Sequence, residues 1–99
     1  MVKWSLRARA DLKSIHDYIA KNSPRDAKRV THEIRLKAET VVELPYSGRK
    51  IPEVNDEQLR EIPSYSWRIL YHIRNGDIFI VTIVHKRRNL VAEEIPKPE

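Results

Sequence analysis

Three side chains have the types and the spacing to move a proton and steady a phosphate: Arg68, His85 and Arg87. Cleaving RNA through its own 2′-hydroxyl needs a base, an acid for the leaving oxygen and positive charge on the phosphate. A histidine titrating near neutrality and two arginines can supply all three. The same residues also have a plainer reading, in which His85 packs at a strand end and the arginines grip an acidic partner. Lys86-Arg87-Arg88 is the densest basic run of the chain, able to hold a phosphate or a carboxylate-rich surface by charge and forked hydrogen bonds. Arg49-Lys50, just after Gly48, is a second and smaller basic pair.

Other chemistries lack their residues. There is no cysteine, so no thiol nucleophile, disulfide or Cys-ligated zinc can form. His16, His32, His72 and His85 fall on separate segments without metal-ligand spacing, and no metal or cofactor is expected. Two glycines, Gly48 and Gly76, cannot build a glycine-rich phosphate loop, and no serine stands in a G-x-S-x-G context.

Helices and strands must bring the three residues together. Val2 to Trp4 reads as a first strand, followed by Ser5 as a helix cap. Ala8, Leu12, Ile15 and Ile19 recur on one helical face, which predicts a helix over Arg7 to Lys21. Asn22 suits a left-handed ending, and Ser23-Pro24-Arg25-Asp26 restarts a helix with a cap, a proline at its first position and an acid behind it. The stripe Ala27, Val30, Ile34, Ala38 and Val41 then runs until Leu44-Pro45 stops it. Tyr46 to Gly48 and Pro52 to Gln58 read as turn and loop, and Leu59 to Ile62 as a short strand. Trp67 to Arg74 and Ile78 to His85 are β-branched and aromatic, and Asn75-Gly76 between them predicts a tight hairpin.

Strict alternation from that turn assigns the hairpin's two faces. Trp67, Ile69, Tyr71, Ile73, Ile78, Ile80 and Val84 should meet the helices. Arg68, Leu70, His72, Arg74, Phe79, Val81, Ile83 and His85 should share the other face, joined by Arg87. That mixed face sets cations beside apolar residues and reads as an open surface. One core is expected between helices and sheet, containing Leu12, Ile15, Ile34, Ile69, Tyr71 and Ile80.

Ninety-nine residues allow a single domain, 1–99, with a loose proline-rich tail from about Ile95. Forty per cent apolar and 33% charged residues permit a packed core and argue against disorder throughout. The absence of cysteine and of a long apolar run points to the cytoplasm, without a signal peptide or membrane partner. A net charge of +5 favours an acidic partner, and the basic excess is concentrated in the helical half, where residues 1–44 carry ten Lys or Arg against six acids.

Several short patterns recur in a fixed order: Ala8-x-Ala10-Asp11-Leu12-x-x-Ile15-x-x-Tyr18-Ile19, Ser23-Pro24-x-x-Ala27, Pro45-x-x-Gly48-Arg49, Arg60-Glu61, Trp67-Arg68-Ile69-x-Tyr71 and Val84-His85-x-x-Arg88. Together they resemble the RelE/ParE toxin superfamily over residues 2–88. The resemblance implies an α+β fold, a two-helix hairpin packed on a small, mainly antiparallel sheet. It also implies one half of a type II toxin–antitoxin pair, neutralised in a hetero-oligomer by a cognate antitoxin. RelE-like members cut messenger RNA on the ribosome, whereas ParE-like members inhibit DNA gyrase.

The long two-helix opening resembles ParE more closely. Arg68 and Arg87 match arginines of the RNase motif, but Arg60-Glu61 stands where a lysine pair is expected. No tyrosine follows Tyr71 to close that motif, though His85 can substitute. The expectation is therefore a gyrase inhibitor without catalysis of its own. The alternatives are a ribosome-dependent mRNA endonuclease using Arg68, His85 and Arg87, or a non-toxic nucleic-acid-binding module. Target or antitoxin binding is assigned to Arg49, Arg60, Leu70, Phe79, Val81, Ile83, Lys86, Arg87 and Arg88.

Overall fold

Ser5 and Ser23 each stand at a helix entrance and use their short hydroxyl there: Oγ accepts the amide hydrogen three residues on, from Ala8 at 2.9 Å and from Asp26 at 3.1 Å. The helices they open are α1, Leu6–Ala20, and α2, Pro24–Thr40. These belong to a computed structural model that describes residues 2–54, 56–88 and 90–96. The connection differs from expectation, because Asn22 does not have positive φ. Instead the amides of Asn22 and Ser23 both donate to the Ile19 carbonyl, which closes the turn without a left-handed residue.

Five strands form one sheet in the order β1-β5-β4-β3-β2: β1 is Val2–Trp4, β2 Arg49–Lys50, β3 Leu59–Ser64, β4 Trp67–Arg74 and β5 Asp77–His85. β1 runs parallel to β5, and every other neighbouring pair is antiparallel. The architecture is therefore the expected one, a helical hairpin on a mainly antiparallel sheet. Strand β2 escaped the sequence reading, and β3 continues past Ile62. At the β4–β5 turn Asn75 and Gly76 have φ of 51° and 81°, the pair of left-handed residues that such a hairpin demands.

The helices lie over one sheet face. Leu12, Ile15, Ile34, Ile69, Tyr71 and Ile80 all belong to the apolar cluster between them, as predicted. The other face is not open. Leu70, Val81 and Val84 sit in a second cluster with Leu59, and the chain itself covers them with Ile51, Leu90 and Ile95. The C-terminal segment read as loose is thus anchored by Ile95, which follows a short 3-10 turn at Ala92–Glu94. Residues 97–99 of that tail lie outside the described residues.

Alternation breaks at one point. Tyr71 pairs with Ile80, but Leu70 pairs with Thr82, so Val81 is an extra residue on β5. Beyond it every pairing differs from the expected one: Ile83 lies opposite Ile69, Val84 opposite Arg68 and His85 opposite Trp67. Helix α1 holds this bulge. Ser5 Oγ donates to the Val81 carbonyl at 2.9 Å, the Ile83 amide donates to Asp11 Oδ2 at 3.0 Å, and the buried Thr82 hydroxyl donates to the same oxygen. Asp11 therefore supplies the acceptor that the short β1 cannot offer to the far end of β5.

Candidate functional site

The bulge separates the proposed catalytic trio. Arg68 points into the second apolar cluster, whereas His85 lies beside Trp67 on the helical side, their ring centroids 5.4 Å apart in an edge-to-face arrangement. Arg87 is exposed on the turn that follows β5. Its amide donates to His85 Nδ1 at 3.2 Å, so in this arrangement Nδ1 accepts. No single face carries all three residues.

Arg68 is buried, only 6% exposed, and its guanidinium is fully occupied. Nη1 and Nη2 form a fork on the two oxygens of Glu53, each at 3.0 Å. Nε donates to Glu61 Oε2 at 3.1 Å, Nη2 donates to that same oxygen, and Nη1 reaches the Arg88 carbonyl at 3.3 Å. These five bonds match the five N–H groups a guanidinium possesses, and none is left over for a phosphate. Two carboxylates beside it also repel an incoming anion. The fork from Arg68 holds the Glu53 carboxyl down at about 2, so it stays ionised.

This cluster ties the covering segments to the sheet. Glu53 comes from the loop after β2 and also accepts the Leu90 amide at 3.3 Å. Glu61, nearly buried on β3, accepts from Arg49 Nε at 2.9 Å. Arg49, with its side chain 70% exposed, is the cluster's outermost cation. The Arg60-Glu61 pair that replaces two lysines thus places an acid against Arg68.

The other assigned binding residues divide. Leu70, Val81 and Ile83 are at most 4% exposed and cannot meet a partner without rearrangement. Ile83 in addition packs in the helical cluster, carried there by the bulge. Phe79 is half-buried under the Lys3 ammonium, 5.5 Å from its ring centre. Arg60 is a staple for the turn before β2: it donates to the Gly48 and Glu57 carbonyls and lies 5.0 Å from the Tyr46 ring centre. Lys86, Arg87 and Arg88 are exposed, and Arg88 pairs with Glu94.

Gly48 has a different reason from a turn glycine. Its amide donates to the Tyr71 hydroxyl at 3.1 Å, and that hydroxyl donates to the Pro45 carbonyl at 2.6 Å. An added Cβ would stand 2.3 Å from the Tyr71 oxygen and 2.8 Å from the Glu61 carbonyl. Gly48→Ala should therefore cost about 1–3 kcal/mol through overpacking, read as a lowered midpoint in thermal unfolding. An unchanged midpoint would show that this turn tolerates the methyl group.

One surface went unnoticed in the sequence. Tyr18, Tyr65 and Trp67 frame an open groove of about 550 Å³ with His85 at its edge. Tyr65 adopts φ of 55°, uncommon for a bulky side chain, and its hydroxyl is held by Glu33 and by Arg29 Nη1 at 3.0 Å. The available signal was the pair Tyr65-Ser66 between two strand-like runs, a hairpin turn without its usual glycine or asparagine. Among the described residues no cluster of His, Cys, Asp and Glu suits a metal, and no helix is long and apolar enough to cross a membrane.

Comparison with known proteins fits this construction. The family described as the ParE toxin of the type II toxin–antitoxin system parDE matches residues 2–90. Toxin RelE2 of Caulobacter vibrioides is 36% identical over 87 residues, covering 88% of this chain and 96% of that protein. Among solved structures, the chromosomal ParDE system from P. aeruginosa contains a chain of the same fold. Its TM-score is 0.71 at 21% identity, over 85% of this chain and 92% of that one. The isolated E. coli RelE toxin superposes with a TM-score of 0.57 at 18% identity, over 95% and 92% of the two chains. Matched by the family over residues 2–90 and 36% identical to a relative along nearly its whole length, this chain belongs to the ParE toxin family of type II toxin–antitoxin systems, within the RelE/ParE superfamily.

Proposed function

We propose that this toxin acts in the cytoplasm by inhibiting DNA gyrase through contact, without catalysis of its own, and that a cognate antitoxin protein neutralises it. The observation that carries the reading is the saturated Arg68 guanidinium: all five of its N–H groups are spent inside the protein. An RNase needs that charge facing a scissile phosphate, and needs a proton-transfer group beside it. His85 stands on the opposite face. A contact inhibitor needs neither. What it needs is an exposed anchor, and Tyr65 and Trp67 near Lys86 and Arg87 combine the aromatic and cationic types found at the centres of protein interfaces.

The test uses purified gyrase in a supercoiling assay. The wild-type chain should inhibit, and His85→Ala should inhibit within about 3-fold, because no proton moves in forming a contact. Charge reversal at Lys86 and Arg87 should weaken inhibition about 10-fold or more. Full supercoiling at saturating toxin would overturn the reading. The likeness to a protein called Toxin RelE2 supports one alternative, an mRNA endonuclease acting on the ribosome. That alternative requires codon-positioned cuts which fall ~10²–10⁴-fold in His85→Ala.

A further inference from the structure

The two helices carry a cationic groove that the gyrase reading leaves unused. Arg9, Lys13 and His16 lie at i, i+4 and i+7 on α1, and Lys28, His32 and Arg35 repeat that spacing on α2. All six line one open groove of about 910 Å³, floored by Trp4, Leu12 and Thr31, and no carboxylate lines it. Antiparallel helices that present basic rows to each other repel across their seam, an arrangement that costs stability unless an anion sits between them. Some of the charge is already answered. Lys13 is bonded to Asp17 at 2.8 Å, His16 Nδ1 lies 3.2 Å from the same carboxylate, and Arg29, also on the rim, is held by Asp26 and Tyr65. Arg9, Lys28 and Arg35 have no ion-pair partner among the described residues.

We propose that this groove binds the phosphodiester backbone of a single nucleic-acid strand. Seven residues of helix rise about 10 Å, long enough for each row to reach successive phosphates of one extended strand. Trp4, half-buried against the helix–sheet core, lines the same groove, and an aromatic ring beside cations is the combination on which unpaired bases stack. A carboxylate peptide would use the charges but not the indole. The inference stands apart from the gyrase reading, since the groove lies on the helical layer and includes none of the residues assigned to that contact.

The experiment is fluorescence anisotropy with the full chain and labelled 12-nucleotide single-stranded DNA, RNA of the same sequence, and the DNA duplex. Both or either single strand should bind, more tightly than the duplex, with affinity falling as salt to a power of about 2, as three phosphates neutralised on a single strand require. Arg9→Gln/Lys28→Gln/Arg35→Gln should weaken binding at least about 10-fold and flatten the salt slope. Lys3→Gln/Lys37→Gln/Arg74→Gln, with the same net charge, should stay within about 3-fold. The groove variant removes repulsion and should melt no lower than wild type. The three single substitutions, each costing about 3-fold, carry the test independently of the triple variant's stability. Equal losses in the two triple variants would overturn the proposal, as would a preference for duplex. So would capture of labelled oligo-glutamate in place of any oligonucleotide.

Discussion

Arg68→Ala is expected to unfold the protein near physiological temperature, whatever it does to toxicity. Removing the guanidinium leaves Glu53 and the nearly buried Glu61 facing each other without their shared counter-ion. Breaking a buried pair in this way costs about 3–5 kcal/mol, against a total of about 5–15 kcal/mol for a domain. At about 4–8 °C per kcal/mol for this chain length, the melting midpoint should fall by at least 12 °C. Adding Glu53→Gln to Arg68→Ala should recover part of the loss, because Glu53 is the carboxylate left without a cation, whereas Glu61 keeps Arg49.

Acid provides a second readout. Glu53's folded value of about 2 lies below its ordinary 4.5, so the ionised form contributes stability above pH 4.5 that is lost as pH falls toward 2. That contribution is about 2 kcal/mol after allowance for screening near the surface. It should be absent from Arg68→Ala, which lacks the fork that creates it. A midpoint within a few degrees of wild type, with the acid sensitivity intact, would show that Arg68 is a spare functional group rather than a strut.

Ile34→Ala should have an effect of similar size for an apolar reason. Ile34 is fully buried in the helix–sheet cluster, and truncation there removes buried methyl groups and leaves a cavity. Such changes cost about 2–5 kcal/mol, so calorimetry should record a midpoint lowered by about 8 °C or more. Leu36, two residues on, is 52% exposed on the helix's outer side. Leu36→Ala should change stability by no more than about 0.5 kcal/mol. Comparable losses at both positions would mean that the helix is rotated from its described face.

The elements the sequence made legible are those decided locally. Ser23-Pro24 starts a helix, and Asn75-Gly76 turns a hairpin, because the relevant atoms lie within a few residues of each other. The site was hidden because distant residues decide it. Val81 is extruded because Ser5 and Asp11, some seventy positions away, capture the backbone around it, and alternation alone cannot foresee a one-residue slip. That slip moved His85 away from Arg68 and exchanged the faces of Ile83 and Val84. Leu90 and Ile95 lie among polar and proline residues where no alternation marks them, yet they close the very face that had seemed open to a partner. Glu53 had no local mark at all, since its role depends on a loop folding back to meet β4.

Contact with the replication machinery, and not the cutting of messenger RNA, is how we propose that this toxin acts. Incorporation of radiolabelled thymidine and methionine after induction of the toxin alone tests it most directly. Thymidine incorporation should stop first while methionine incorporation continues, and co-expression of the antitoxin should restore growth. Methionine incorporation collapsing first, with codon-positioned mRNA cuts that vanish in a folded His85→Ala variant, would contradict the account.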